Sequence, residues 1–201
     1  MASHQLYWIA SRAFGTTAMV LLGISVAVGL AMAGKLGAKP GRAAKLRRFH
    51  EAAAIVTVGL IAAHGSLLLF DTYLRPGLVG IAVPFALAYR PLATGVGIIA
   101  GWLTAIFAAS FYLRRRIGAR RWRKLHRFTP VAYGLALFHV LAAGSDAGSP
   151  WMIATLTGLT APIAFAFSYR VLASSGPRAS SGPHVGSAPR GSARLRPSAA
   201  S

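Results

Sequence analysis

Long runs of uncharged apolar residues alternate along the chain with short basic segments. Five of these runs are close to the roughly 20 residues that a membrane-spanning helix needs; they cover residues 13–34, 52–70, 91–113, 128–145 and 150–169. A further apolar stretch, residues 76–89, is shorter and contains Pro84, which predicts a re-entrant or interfacial segment. The pattern as a whole predicts an all-α integral membrane protein, a bundle of five to six transmembrane helices.

Basic residues are concentrated in two of the connecting segments. Residues 35–48 contain six Lys and Arg, and residues 114–127 contain eight. Because cytoplasmic loops are enriched in Lys and Arg, both segments are expected in the cytoplasm. Five spans with the N-terminus outside and the C-terminus inside satisfy this pattern, and we expect a multi-pass protein of the cell membrane, of the bacterial inner-membrane type.

The last part of the chain differs in composition from the rest. From residue 174 onward Ser, Gly, Pro, Ala and Arg dominate, which is typical of a disordered segment. We therefore divide the chain into a membrane domain, residues 1–173, and a disordered basic cytoplasmic tail, residues 174–201. The tail is too short for a flavin or nicotinamide domain.

Composition excludes several kinds of chemistry. The chain of 201 residues has no Cys and three acidic residues, Glu51, Asp71 and Asp146. Disulfides, iron-sulfur clusters and covalent haem attachment through C-x-x-C-H are excluded, and an enzyme built on paired carboxylates is disfavoured. The net charge of +19 does not predict nucleic-acid binding, because the charges lie between apolar spans instead of on one basic face.

Residues 95–100, with the sequence GVGIIA, resemble a dinucleotide-binding fingerprint. They lie inside a predicted span, with no strand before them and no acidic residue after them, so the match is interpreted as small residues that allow helices to pack.

Four of the six histidines lie on two of the predicted spans. His50 and His64 belong to the second, and His126 and His139 to the fourth. The two histidines on each span are fourteen and thirteen residues apart, respectively, which corresponds to about 20 Å along the helix axis. The two helices run in the same direction, because one span intervenes, so His50 comes level with His126 and His64 level with His139.

Polar groups inside a membrane are expensive and usually functional, and a neutral imidazole is a good haem ligand. We interpret the two level pairs as axial ligands of haem iron, with haem held between the second and fourth spans. The alternative is that these histidines only form hydrogen bonds between helices. Thirteen residues fall about 140° short of four helical turns, so the fourth helix must bend or rewind, and Pro130 is a candidate for the bend.

Haem propionates need cations at the membrane surface. The candidates on the cytoplasmic side are Arg47, Arg48, Arg123 and Arg127, and on the outer side Arg12, Arg75 and Arg90. The alternative is that these residues only set topology and anchor the helices at the membrane surface.

Three features together resemble the ferric reductase-like transmembrane domain family: the two histidine pairs, Tyr89-Arg90-Pro91 at the start of the third span, and residues 118–126 before the fourth. This haem-bearing core is shared by NADPH oxidases, ferric-chelate reductases and the membrane subunit of the bacterial methionine sulfoxide reductase system, which is the most similar in size and loop motif. The resemblance covers roughly residues 12–172. It implies two non-covalent b-type haems, with His50 paired with His126 and His64 with His139.

These observations predict transmembrane electron transfer by an oxidoreductase component without its own flavin domain. The expected donor on the cytoplasmic side is reduced FMN or FAD of a flavin reductase, or the quinol pool; the expected acceptor on the other side is ferric iron, oxygen or a partner reductase. The alternatives are a non-redox helical scaffold or small transporter, and a haem protein of the cytochrome b561 or hydrogenase cytochrome b type with a different ligand pairing. No acid lies inside a predicted span, which disfavours a proton pump.

Overall fold

The computed structural model describes residues 2–34 and 40–175, with side chains for residues 5–34 and 41–172. Throughout this part of the chain the regular structure is helical, and the helices are α1 (Ala2–Ala33), α2 (Pro40–Leu68), α3 (Gly77–Ala82), α4 (Pro91–Ile117), α5 (Ala119–His126), α6 (Thr129–Ala143) and α7 (Pro150–Ser175). The predicted tail from residue 176 onward, which includes His184, and the side chain of His4 lie outside the described residues.

Four helices are long and apolar enough to cross a membrane. They are Gln5–Ala33, Gly41–Leu68, Pro91–Ile117 and Pro150–Leu172. Together they form the helical bundle expected of a membrane protein, and they correspond to the first, second, third and fifth predicted spans. α7 extends to Ser175, two residues beyond the predicted end of the membrane domain.

The predicted fourth span is divided between two helices. α5 ends at His126 and α6 begins at Thr129, and the chain passes between them through a tight turn at Arg127 and Phe128, with a hydrogen bond of 3.0 Å from the Phe128 N–H to the Leu125 carbonyl. Pro130 stands in the first turn of α6, where a missing backbone N–H leaves no helical bond unmade. The predicted fourth span is therefore interrupted by a two-residue turn, and Pro130 lies just after that turn. The 15 residues of α6 span about 22 Å, so it is shorter than the other four predicted spans.

α1 is the central helix of the bundle. It packs against α2 along its length and also contacts α6 and α7, while α4 packs against α2 and α6. The buried apolar core joins α1, α6 and α7, with the following residues: Met19, Leu22, Val26, Leu30, Tyr133, Met152, Leu156 and Ile163. The Tyr133 hydroxyl forms a hydrogen bond of 2.8 Å with Thr160 Oγ1 of α7. On another side α6 packs against α4, and its His139 approaches His64 of α2.

The apolar stretch at residues 76–89 does not form a span. It contains the short helix α3, about 9 Å long, followed by an irregular segment. Trp102 Nε1 donates a hydrogen bond of 2.9 Å to the carbonyl of Ala82, and the Phe85 ring lies against Gly95 of α4. The segment thus folds back along the first half of α4, and α4 begins after it.

Candidate functional site

The four predicted histidines come together as two pairs. The ring centres of His50 and His126 are 5.9 Å apart, and the planes of the two rings are nearly perpendicular. The ring centres of His64 and His139 are 6.5 Å apart. We call the first the inner pair, because it adjoins the basic segments, and the second the outer pair. The break between α5 and α6 changes the helical register between His126 and His139, so that both residues face α2.

Hydrogen bonds at Nδ1 fix the ring orientation of three of these histidines. Nδ1 of His50 lies 3.0 Å from the carbonyl oxygen of Ser25, and Nδ1 of His64 lies 2.8 Å from that of Ser11. Nδ1 of His139 lies 2.9 Å from the carbonyl oxygen of Ala93. Since a carbonyl oxygen only accepts, each Nδ1 carries the proton and donates it, and the Nε2 lone pair is left for a ligand-binding role.

The carbonyls that hold the outer and inner rings on α2 come from a repeated pattern on α1. Ser11 and Gly15 contact His64, and Ser25 and Gly29 contact His50. The two Ser-x-x-x-Gly units lie fourteen residues apart, which is also the spacing of the histidines that they hold. In both units the glycine lies one turn after the serine and allows the imidazole to approach the helix backbone: a Cβ on Gly15 would lie 2.9 Å from His64 Nδ1.

A third unit of this kind lies on α4; we call each such unit, a backbone carbonyl followed one turn later by a glycine, a cradle. The carbonyl of Ala93 accepts the bond from His139, and Gly97, one turn later, faces the same ring. A Cβ on Gly97 would overlap the ring of His139. Gly97 belongs to the fingerprint-like string at residues 95–100. Gly95 of the same string packs directly against the Phe85 ring. The small residues of that string therefore allow close packing, as the sequence predicts, and one of them serves the candidate site.

A cavity of about 830 Å³ adjoins the outer pair. Its walls are mostly apolar and come from α1, α2, α4, α6 and α7, with polar residues such as Gln5, Arg12 and Tyr73 at one end. His64 and His139 both line it. The volume lies within the range of about 300–1,000 Å³ that is usual for cofactor and ligand sites.

Three buried side-chain nitrogens in the described part of the chain lack a hydrogen-bond partner: Arg12 Nε and Trp122 Nε1, which are donors, and His126 Nδ1. All three are at the histidine pairs. Arg12 follows Ser11 and lines the cavity with His64, and Trp122 stacks on His126. A buried donor without an acceptor costs about 1–3 kcal/mol, so an acceptor group on a bound ligand would stabilise these positions.

The histidine pairs fit haem b. A metal–imidazole bond is about 2 Å long, so two rings that share one iron from opposite sides have centres roughly 6 Å apart, as both pairs have. Each pair offers two imidazole nitrogens, and a haem iron that takes both of its protein ligands from histidine would need that number. The unpartnered donors of Arg12 and Trp122 suit propionate carboxylates.

His126 differs from the other three histidines in its surroundings. It is the last residue of α5, a helix of eight residues that is rich in Arg and Lys and lies outside the apolar helices. Burial, followed by the positive charge that His50 would carry, lowers the pKa of His126 from its ordinary value of 6.5. The ring is therefore neutral at physiological pH, as a metal ligand requires.

The predicted propionate-binding arginines occupy different positions. Arg12 forms an ion pair with Asp146 and lies 4.2 Å above the Trp8 ring, at the edge of the cavity. Arg75 Nε donates to the Thr72 carbonyl, and Arg90 Nη1 donates to the Ala142 carbonyl. On the inner side the side chains of all four candidates are exposed; these are Arg47, Arg48, Arg123 and Arg127.

Several site residues were not predicted from the sequence. Ser11, Ser25 and the glycines that follow them read as ordinary packing residues of a membrane helix, and Trp122 as an aromatic residue of the membrane interface. A usable signal did exist: the fourteen-residue repeat of Ser-x-x-x-Gly on α1 equals the spacing of His50 and His64.

The fold and the site define a helical membrane protein with two half-buried histidine pairs. Comparison with protein-family models, with curated proteins and with solved structures gives no match to the chain. The geometry of the site is therefore the basis for its function.

Proposed function

We propose that this protein carries electrons across the membrane through two non-covalent b-type haems, one held by the inner pair and one by the outer pair. The observation that carries the proposal is the geometry of the pairs: ring centres 5.9 and 6.5 Å apart, with the Nδ1 groups of His50, His64 and His139 bonded to backbone carbonyls. Such a carbonyl fixes the tautomer of a ligating imidazole and raises its basicity.

A haem with two histidine ligands supplies one-electron exchange without an open iron position. The protein sets the distance between the two proposed haem sites. His50 and His64 lie on one continuous helix, and fourteen residues place them about 20 Å apart along its axis. α2 therefore sets two redox sites at different depths, and the bundle residues between them keep water away. Donor and acceptor need only dock near the two ends.

The basic segments favour the inner pair as the entry point. Exposed cations lie close to both of its histidines in the sequence, among them Arg47, Arg48, Arg123 and Arg127, and such basic segments face the cytoplasm. Reduced flavin of a flavin reductase, or quinol, is the donor that we propose on this side. The acceptor on the other side is ferric iron or a partner reductase, and the chain acts as the membrane component of an oxidoreductase.

The first test is the haem content of the full chain purified in detergent after expression with haem available. We expect an oxidised-minus-reduced spectrum of low-spin b-type haem, and a pyridine haemochrome count of about two per chain. The His184→Ala variant, which leaves both pairs intact, serves as the control and should keep both haems. A folded protein without haem would contradict the proposal and favour a non-redox scaffold or transporter.

A second test concerns Arg12. We expect Arg12→Gln to weaken the outer haem about tenfold or more, since a hydrogen bond to a charged group contributes about 1.5–3 kcal/mol. Haem titration of the two sites measures the change. Arg75→Gln is the matched control, because its side chain bonds to the Thr72 carbonyl, and it should bind haem as the unmodified protein does. Asp146→Asn removes the ion-pair partner of Arg12 and should not weaken the site; equal losses in Arg12→Gln and Asp146→Asn would mean that the ion pair matters only for folding.

A further inference from the structure

The inner pair is asymmetric. His50 is fixed by the Ser25 carbonyl, but Nδ1 of His126 is buried and has no hydrogen-bond partner among the described residues. His126 is also the last residue of its helix, followed at once by the break at Arg127 and Phe128. No backbone carbonyl therefore fixes the tautomer or the orientation of this ring.

An aromatic contact takes the place of the missing hydrogen bond. The Trp122 ring stacks on His126 with the ring centres 5.1 Å apart and an angle of 24° between the planes. The two residues are one helical turn apart on α5, so they lie on the same face. Phe111 of α4 meets Trp122 edge to face at 6.1 Å, and the Arg114 guanidinium lies 3.8 Å above the Phe111 ring. Trp122 is thus held by α4 and in turn supports His126.

Trp122 also has an unused donor. Its Nε1 is buried and lacks a partner within the described residues. An interfacial tryptophan normally places this group in water or against a lipid headgroup. A buried indole N–H beside a ligand-binding imidazole is instead suited to an acceptor on the bound group, and haem carries propionate carboxylates.

We propose that Trp122 is a positioning residue of the inner haem: its ring holds His126 where a backbone carbonyl holds each of the other three histidines, and its N–H donates to a propionate. This inference rests on the proposed function. Stacking fixes the tilt of the imidazole but leaves its tautomer and its rotation within the plane free. The inner haem is therefore the more readily released of the two.

Haem release from the full chain tests this inference. The loaded protein is mixed with excess apomyoglobin, and the transfer is followed by absorbance. We expect two phases of equal amplitude. In Trp122→Leu, which loses both the stacking and the donor, the faster phase should accelerate about tenfold or more, in line with the usual effect of supporting residues on metal-site affinity, while the slower phase is unchanged. Trp151→Leu, which removes an exposed tryptophan of α7, is the matched control and should alter neither phase.

Trp122→Phe separates the two roles and remains informative if the leucine variant does not fold. Phenylalanine keeps the stacking and loses the N–H, so release should be faster than in the unmodified protein but slower than in Trp122→Leu. The midpoint potential of one haem should also fall, because a propionate without a donor favours the ferric state, and the other potential should not change. A residue with only a packing role would not move one potential selectively.

The outcomes distinguish the two proposals. If Trp122→Leu leaves both phases unchanged, or accelerates both equally as the loss of a membrane anchor would, Trp122 is not a positioning residue and the electron-transfer proposal still stands. A single release phase in the unmodified protein would equally overturn the inequality of the two sites. A colourless unmodified protein would overturn the proposed function, and this inference with it.

Discussion

Replacing one histidine of each pair is expected to remove both haems, whereas replacing both members of one pair should remove only one. His50→Ala with His139→Ala should yield a chain without haem, while His50→Ala with His126→Ala should retain the outer haem. The reason is the pairing in the structure, in which His50 adjoins His126 and His64 adjoins His139. A haem that has lost one of two axial ligands keeps little affinity for its site.

The measurement is the number of b-type haems per folded chain after gel filtration. Each single variant should retain about one haem, and the two members of a pair should give the same residual spectrum. The double variant of one pair should then be no worse than either single variant, because both act on the same site. If His50→Ala and His126→Ala affected different haems, the pairing would be wrong, and an arrangement like that of cytochrome b561 would be favoured.

The helical membrane architecture could be predicted because it depends on simple properties of the chain. Spans follow from apolar length, and the levels of the four histidines follow from the rise of 1.5 Å per residue. That the fourth helix bends or rewinds between its two histidines could also be predicted, since spacings of fourteen and thirteen residues cannot both face one neighbour on straight helices. That a turn before Pro130 divides the span and leaves the 15 residues of α6 could not be predicted, because proline is equally compatible with a kink and with a helix start.

The supports of the histidines were harder to predict than the histidines. A backbone carbonyl accepts the Nδ1 bond in three cases, and every residue has a carbonyl, so residue type carries no signal at Ala93. Ser25 and Gly29 are also common packing residues in membrane helices. Only the shared fourteen-residue period of α1 and α2 reveals the cradles, and it becomes meaningful once the two helices are known to pack antiparallel.

Which of the predicted arginines lies at the site could not be predicted from the sequence, for a different reason. Arg12, Arg75 and Arg90 have the same charge and similar predicted depth, and the sequence does not rank them. The structure places Arg12 at the cavity with an unpartnered Nε, while Arg75 and Arg90 bond to backbone carbonyls of loop and helix-end residues. A long flexible side chain can reach many partners, so its partner depends on the local path of the backbone.

The second large effect on haem binding is expected from a substitution at Gly97, a residue without a side chain. Gly97 faces the His139 ring so closely that the Cβ of an alanine would overlap several ring atoms. Because Ala93, one turn earlier, holds the same imidazole by its carbonyl, the ring cannot move away without losing that bond. Gly97→Ala should therefore displace His139, and we expect the outer haem to bind more than tenfold more weakly or to be lost.

A graded series of Gly→Ala variants tests whether the cause is the ring contact and not the loss of a glycine. A Cβ on Gly134 would meet no heavy atom within 4 Å, so Gly134→Ala on α6 should keep both haems. At Gly29 the Cβ would lie 3.3 Å from His50 Cε1, a contact that a small shift relieves, so Gly29→Ala should lower the affinity of the inner haem only slightly. The expected order of haem loss is Gly97, then Gly29, then Gly134. If Gly97→Ala kept two haems of normal affinity, the α4 cradle would not position His139, and its Nδ1 bond to Ala93 would have to be sufficient alone.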